Sequence, residues 1–418
     1  MTRIERVEVE GFKGIESLAL EPSGINIITG RNNTGKTSLL EAIQLAFDPE
    51  KVEGFGDNVD TLINVDCNQT DIIVKIGDQT RKLGIRRPTH ERVREIIIES
   101  ALSSASEFIE MCREDERVDD EALQKARSNI RKVVIDNISP DIVEDTSDYV
   151  LLLDIDGAEY SFLFPISNVQ KLLGDVEQEL REHLFPQSEA KTGLIEGTRR
   201  HVYEGQSYTA HHHLATATLT ESSFVGDKPS SSWAFTFVDI PDLTTQPKAK
   251  DDEDSAIKID DIEDFLIEHE ILENLRDFDL DYLVFEDEDG DKYSVPYEFM
   301  GDGFQAIVGI LWELLDDDLA GNVVLLEEPG THMHPGYVRE LVYFLVDLAR
   351  EEDVQLFITT HDNDFISDFF TENLTDEERD FLQEEFTLVQ MQEDAADVMG
   401  YEEAEEQLKE LHLDLRGL

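Results

Sequence analysis

Residues Gly30-Arg31-Asn32-Asn33-Thr34-Gly35-Lys36-Thr37 form an uninterrupted G-x-x-x-x-G-K-[ST] stretch, the spacing of a phosphate-binding loop. Its glycines let the backbone wrap so that successive N–H groups face phosphate oxygens. A helix that follows adds the partial positive charge of its N-terminus. Lys36 is placed to reach the β- and γ-phosphates of a nucleoside triphosphate, and Thr37 to ligate Mg²⁺. With Ser38, the whole run from Gly30 makes the expected nucleotide-binding set.

Far downstream, Val323-Val324-Leu325-Leu326-Glu327-Glu328-Pro329 is a short apolar run ending in paired carboxylates. Glu327 would sit in the Mg²⁺ shell through water, and Glu328 would polarise the attacking water. A strand that merely ends in solvated acids is the rival reading in so acidic a chain, and the upstream loop favours the chemical one. Phe357-Ile358-Thr359-Thr360-His361 repeats the pattern, placing a histidine at a strand's end where it could sense the γ-phosphate and orient water. Met300-Gly301-Asp302-Gly303-Phe304-Gln305 puts Gly-x-Gly ahead of a helix, a further anion nest.

The elements that must hold these groups are legible in the hydrophobic pattern. Ile4 to Leu20 alternates about a Gly-Phe-Lys-Gly break and predicts a hairpin. Ile25–Thr29 predicts a buried strand, and Leu39, Leu40, Ile43 and Phe47 a helix after the loop. Hairpins are expected at 71–85 and 149–164, and helices at 91–111, 122–135 and 169–184. No helix sustains heptads, so no long coiled-coil arm is expected. Residues 186–260 are irregular, with a polar linker at 244–255, and periodicity returns as an amphipathic helix over 262–275. A strand pair about Asp289-Gly290, a helix at 304–315 and strands at 323–326 and 355–359 follow. The fold class expected is α/β: residues 1–85 and 277–418 build one head of mixed sheet with flanking helices, interrupted by an inserted mixed segment, 86–276.

Charge is the outlier of the composition: 95 acidic residues against 35 Lys plus Arg give a formal net charge of -60. Such a surface suits molar intracellular salt, where the Debye length is about 3 Å, so net charge argues neither for nor against nucleic acid. Among the paired basic residues, Arg81–Lys82, Arg86–Arg87 and Arg199–Arg200 stand out. Two cysteines, Cys67 and Cys112, make neither a disulfide framework nor a zinc site. The N-terminus lacks a signal peptide's apolar stretch, and no run reaches the roughly 18 apolar residues of a membrane span. A cytoplasmic, non-membrane protein is expected. His211–His213 would point to alternate faces of a strand and do not read as a metal site. Ser230–Ser232 lack a partner base, and Asp287-x-Asp289-Gly290-Asp291 lacks EF-hand spacing.

In order and spacing the motifs resemble the RecF/SMC/OLD branch of ABC-type P-loop ATPases, the AAA15/AAA21-like group included. VEVEGFKGIESLALEPSGINIITGRNNTGKTSLLEAIQLAF is similar to the N-terminal lobe of that group. MGDGF resembles its degenerate signature, LLEEPGTHMHP its Walker B and D-loop, and FITTHDNDFI its switch-histidine strand. Glu327 stands where Asp is usual, and Gly330 where an acid is common. The resemblance implies ATP and Mg²⁺ as cofactors, Glu328 and His361 as catalytic residues, and Thr37 and Glu327 at the metal. It implies an ATP-dependent homodimer, each nucleotide lying between one subunit's loop and Gly301–Gly303 of the other, with Lys13 approaching from the hairpin. DNA, or a nuclease or effector protein, is the implied partner. The 57 residues after His361 are too few for a Toprim nuclease domain. The competing readings are a nucleotide-gated regulator of a protein partner, toxin–antitoxin-like, and a transporter's ATPase subunit. The latter is disfavoured by the degenerate signature and the 291-residue spacing from Lys36 to Glu327.

Overall fold

The computed structural model describes residues 3–113, 120–146, 149–163, 167–184, 224–225, 236–239, 253–269, 271–287, 289–315, 321–331, 333–392 and 395–409. The chain begins with β1 (Ile4–Phe12), β2 (Ile15–Leu20), β3 (Ile25–Gly30), α1 (Lys36–Phe47), β4 (Gln69–Ile76) and β5 (Gln79–Arg86). Next come α2 (His90–Cys112), α3 (Asp120–Asn137), α4 (Pro140–Thr146), β6 (Val150–Ile155), β7 (Ala158–Leu163) and α5 (Ser167–Leu184). Then follow β8 (Phe224–Val225), β9 (Thr236–Asp239), α6 (Glu253–Glu268), β10 (Leu275–Phe278), β11 (Tyr282–Glu286) and β12 (Lys292–Pro296). The remaining elements are α7 (Asp302–Leu314), β13 (Val323–Glu327), α8 (Pro335–Glu351), β14 (Gln355–Thr359), α9 (Asn363–Asp368) and α10 (Asp376–Glu385). β15 (Phe386–Met391), β16 (Ala396–Gly400) and α11 (Tyr401–Lys409) close the described chain.

Two compact units result: Met1–Asp48, Ile72–Arg81 and Ser232–Leu418 form the first, and Pro49–Asp71 with Lys82–Ser231 the second. The first is built on a six-stranded sheet ordered β16-β15-β3-β14-β13-β9. All but β16 run parallel. Parallel strands need both faces covered, which is why all six residues of β3 and all five of β14 are buried. Ile307, Ile310 and Leu311 of α7 and Leu341, Val342 and Leu345 of α8 belong to the same apolar cluster as Ile27, Leu326 and Ile358. Because the strands share one direction, Gly30, Glu327 and Thr359 reach the same edge. The register pairs Glu327 with Thr359, Thr359 with Ile28, and Gly30 with Met391. Open α/β sheets place their ligand sites beyond such carboxyl ends.

The β1–β2 hairpin closes through a two-residue turn, Lys13-Gly14, since Phe12 pairs with Ile15. Lys13 takes a positive φ of 48° there, which fixes where its side chain leaves the hairpin. β10, β11 and β12 form a separate antiparallel sheet ahead of α7. The second unit packs Ile96, Ile97 and Phe108 of α2 with Val134 of α3 and Leu173 of α5. Its β6–β7 hairpin turns at Asp156-Gly157, where both residues have positive φ as a type I′ turn requires.

Pro49–Asp71 and residues 82–85, read as part of the head, lie in the second unit, and the structure revises the sequence reading in three further places. The helix expected over 262–275 instead spans Glu253–Glu268. The helix has ended well before Asn274, whose φ of 64° turns the chain into β10, where Leu275 pairs with Phe285. Residues 236–239 and 253–276, read as part of the inserted segment, lie in the first unit, because β9 pairs with β13 and Ile262 and Leu266 join the core of the sheet. β15 and β16 were not expected, and β15 lies directly beside β3. His211–His213, Ser230–Ser232, Arg199–Arg200 and most of the 244–255 linker lie outside the described residues. No helix among the described residues is long and apolar enough to cross a membrane.

Candidate functional site

The loop from Gly30 to Thr37 joins the end of β3 to the start of α1, and its shape rests on three left-handed or Gly-only conformations. Gly30 has φ 140°, Asn33 φ 64° and Gly35 φ 95°. A Cβ on Gly30 would meet the Met391 carbonyl oxygen of β15 at 2.4 Å, so the unexpected strand explains the first glycine. Gly35 precedes α1 without a side-chain cap, leaving the helix's first N–H groups for an anion. Thr34 fastens the loop by donating from Oγ1 to the Arg31 carbonyl at 2.9 Å. Arg31, Asn32 and Asn33 are exposed around the loop, while Thr34, Lys36 and Ser38 are buried.

Lys36 folds into the loop, its Nζ donating to the carbonyls of Gly30 at 2.9 Å and Arg31 at 3.0 Å. Burial pushes its pKa down, against the opposing pull of Glu328 and Glu327. Phosphate oxygens would restore the charge stabilisation that burial removes. The Thr37 hydroxyl donates a short hydrogen bond to Glu327 Oε1, so the two expected metal-side groups do meet. Both are oxygen donors of the kind Mg²⁺ takes, usually keeping several waters besides, and the pair therefore fits that ion. Among the described residues no group of three or more His, Cys, Asp or Glu could hold a metal alone. Waters, and a nucleotide phosphate when bound, would complete the shell.

Glu328 follows β13 in an unusual conformation for a non-glycine residue, φ 50°. Its N–H donates to the Thr359 carbonyl at 3.0 Å, which turns the carboxylate away from the strand direction. Its Oε2 accepts from the His361 N–H at 3.1 Å and from His361 Nδ1 at 2.7 Å. A carboxylate only accepts, so Nδ1 carries the proton. The structure thus joins the two expected catalytic residues into one pair across β13 and β14. Strain of about 1–3 kcal/mol per such residue is typical of functional sites.

Lys13, in the hairpin turn, reaches α1, the helix that follows the loop, through a partner that sequence reasoning missed. Its Nζ is 2.6 Å from Glu41 Oε2 on α1. No local pattern could have shown this pair, since it joins a hairpin turn to a helix 28 positions on. Gly301–Gly303 are not brought to the loop. Gly301 caps α7, and with Met300, Asp302, Gly303 and Phe304 it lines a pocket of about 430 Å³ completed by His334 and Tyr337. A Cβ on Gly301 would meet nothing within 4 Å, so nothing within the described chain requires a glycine there.

Residues 25–368 match the family described as "AAA domain, putative AbiEii toxin, Type IV TA system". The DNA replication and repair protein RecF of Shewanella pealeana (strain ATCC 700345 / ANG-SQ1) is 33% identical over 90 residues, 20% of this chain and 24% of that protein. The uncharacterised protein YbjD of Escherichia coli (strain K12) is 47% identical over 47 residues, 11% of this chain and 8% of that protein. The chain therefore spans less than a quarter of the length of either relative. The SMC head domain from Thermotoga maritima superposes with TM-score 0.41 at 10% identity, covering 96% of this chain and 99% of that one.

Proposed function

We propose, from the premise that the chain belongs to the AAA-domain family matched over residues 25–368, a P-loop ATPase family similar to RecF, that it binds and hydrolyses ATP as a dimeric switch. The observation that carries the reading is the Glu328–His361 pair, held beside the loop whose Thr37 already meets Glu327. In this reading Lys36 exchanges its loop carbonyls for phosphate oxygens, and the exposed first turn of α1 receives the rest of the phosphate charge. Thr37 and Glu327 hold Mg²⁺, which would supply charge neutralisation at the phosphates. Glu328 accepts a proton from the attacking water, and His361 keeps its carboxylate aimed.

Gly301–Gly303 take no part in the loop of their own chain, which supports their serving the nucleotide of a second copy. Closure on ATP and release after hydrolysis would then follow from contacts made only in the dimer. RecF, named for DNA replication and repair, supports DNA as the partner; the toxin and TA wording of the family supports a protein partner instead. The acid-rich surface, with its net charge of -60, supports work in molar salt. Sedimentation of Glu328→Gln with ATP and Mg²⁺ in molar KCl, with and without duplex DNA, tests the switch. A dimer formed only with ATP is the expected result, and a species unchanged by ATP would overturn the dimeric reading.

A further inference from the structure

The α1 helix buries nearly all of its surface. Lys36, Ser38, Leu39, Leu40, Ala42, Ile43, Leu45, Ala46 and Phe47 are buried, which leaves Thr37, Glu41 and Gln44 as its one open stripe. Positions i, i+4 and i+7 lie on one helix face, so Glu41 stands one turn beyond the threonine that meets Glu327. Glu41 is itself four-fifths buried, with a side-chain exposure of 20%. A carboxylate so largely withdrawn from water on a phosphate-binding face needs a reason, because it repels the anion the face is built for.

The reason lies across the hairpin turn. Lys13, set at positive φ in the two-residue turn, places its Nζ 2.6 Å from Glu41 Oε2. We infer that Glu41 is a positioning residue: its carboxylate anchors the Lys13 ammonium on the α1 face that carries Thr37, and so holds a cation ready for the nucleotide. The inference rests on the ATPase reading above and adds to it the residue that makes the hairpin part of the site. An ammonium carries three N–H donors. One carboxylate can therefore fix it while it still donates to a phosphate oxygen. Two further features agree. Burial pushes the Glu41 carboxyl up, its Lys13 partner opposes that shift, and Glu327 adds to it, which puts Glu41 within electrostatic reach of the metal-side acid. An anchored lysine also loses less side-chain entropy when the nucleotide arrives than a mobile one would.

The test measures binding of a non-hydrolysable ATP analogue with Mg²⁺ in molar KCl, together with the KM and kcat for ATP. The proteins are wild type, Glu41→Gln, Glu41→Asp, Lys13→Met and the Glu41→Gln/Lys13→Met double variant. Glu41→Gln is expected to weaken analogue binding about tenfold and raise KM to match, with kcat changed less than about twofold. Glu41→Asp should recover part of the loss, and the double variant should bind no worse than Lys13→Met alone. Unchanged analogue affinity in Glu41→Gln, or losses that simply add in the double variant, would overturn the inference. The two readings fail separately. Wild type that binds the analogue but never turns over ATP refutes hydrolysis and leaves the Glu41 comparison intact, whereas wild type that binds no nucleotide refutes both.

Discussion

Gly30→Ala should unfold the loop's setting at a cost that can be worked from its neighbours. The built Cβ lies 2.4 Å from the Met391 carbonyl oxygen and 2.9 Å from Thr34 Oγ1. Real Cβ contacts with backbone need roughly another ångström, so β15 or the loop must shift. β15 cannot move cheaply, because six register pairs tie it to β3 and Met391 is buried. Overpacking of that kind costs about 1–3 kcal/mol. A φ of 140° adds about 1–3 kcal/mol for any residue with a Cβ. The sum is about 2–6 kcal/mol, with loss of nucleotide binding. Gly301→Ala is the control within the same molecule: φ is −66° and the Cβ meets nothing within 4 Å, so stability should stay within about 0.5 kcal/mol. The assay is the denaturation midpoint of both variants in molar KCl, read beside analogue binding. Equal destabilisation by the two substitutions, or a Gly30→Ala protein as stable as wild type, would refute the steric reasoning.

His361→Ala removes the 2.7 Å bond to Glu328 while the backbone N–H of residue 361 still donates at 3.1 Å. Turnover should fall about 10- to 100-fold, as loss of a hydrogen bond to a charged group implies. The denaturation midpoint should hardly move, since the His361 side chain is 57% exposed; the opposite pattern would make the pair structural. Asp368 is pushed up to about 6 by burial, against Arg339 and with help from Asp364 and Asp362. Its folded form therefore holds a proton that the unfolded chain has lost, so stability falls as pH rises from about 4 to about 6 and is flat above. About two pH units correspond to about 3 kcal/mol. Denaturation of Asp368→Asn against pH should show a shallower slope than wild type across that window, and parallel slopes would contradict the assignment.

The strand–loop–helix that carries Lys36 and Thr37 was legible because a 3.6-residue pattern, an apolar strand and a glycine motif all coincide there. The paired acids and His361 were legible for the same reason: each ends a short run of buried residues, Val323–Leu326 and Phe357–Ile358. What joins them was not legible. That Glu328 would turn to φ 50° and face His361 depends on Thr359 accepting its N–H from the next strand, a contact fixed only by register. β15 carried a usable signal in Phe386, Leu388 and Val389, all buried, but its acidic surroundings hid it. The segment 262–275 misled because Ile271, Leu272 and Leu275 continue the apolar spacing after the helix has ended at Glu268. Glu41 gave no sign at all, since its partner comes from a different element.

If Glu328 is the base of an ATPase whose phosphates lie in the loop from Gly30 to Thr37, its carboxylate is indispensable to turnover and not to nucleotide binding. Steady-state release of phosphate from ATP and Mg²⁺ in molar KCl, by wild type and by Glu328→Gln, tests it most directly. Replacing the carboxylate with an amide keeps the size and the backbone while removing the proton acceptor, so turnover should fall at least about 100-fold while analogue affinity holds within about twofold. A Glu328→Gln protein that hydrolyses ATP at the wild-type rate would contradict the account.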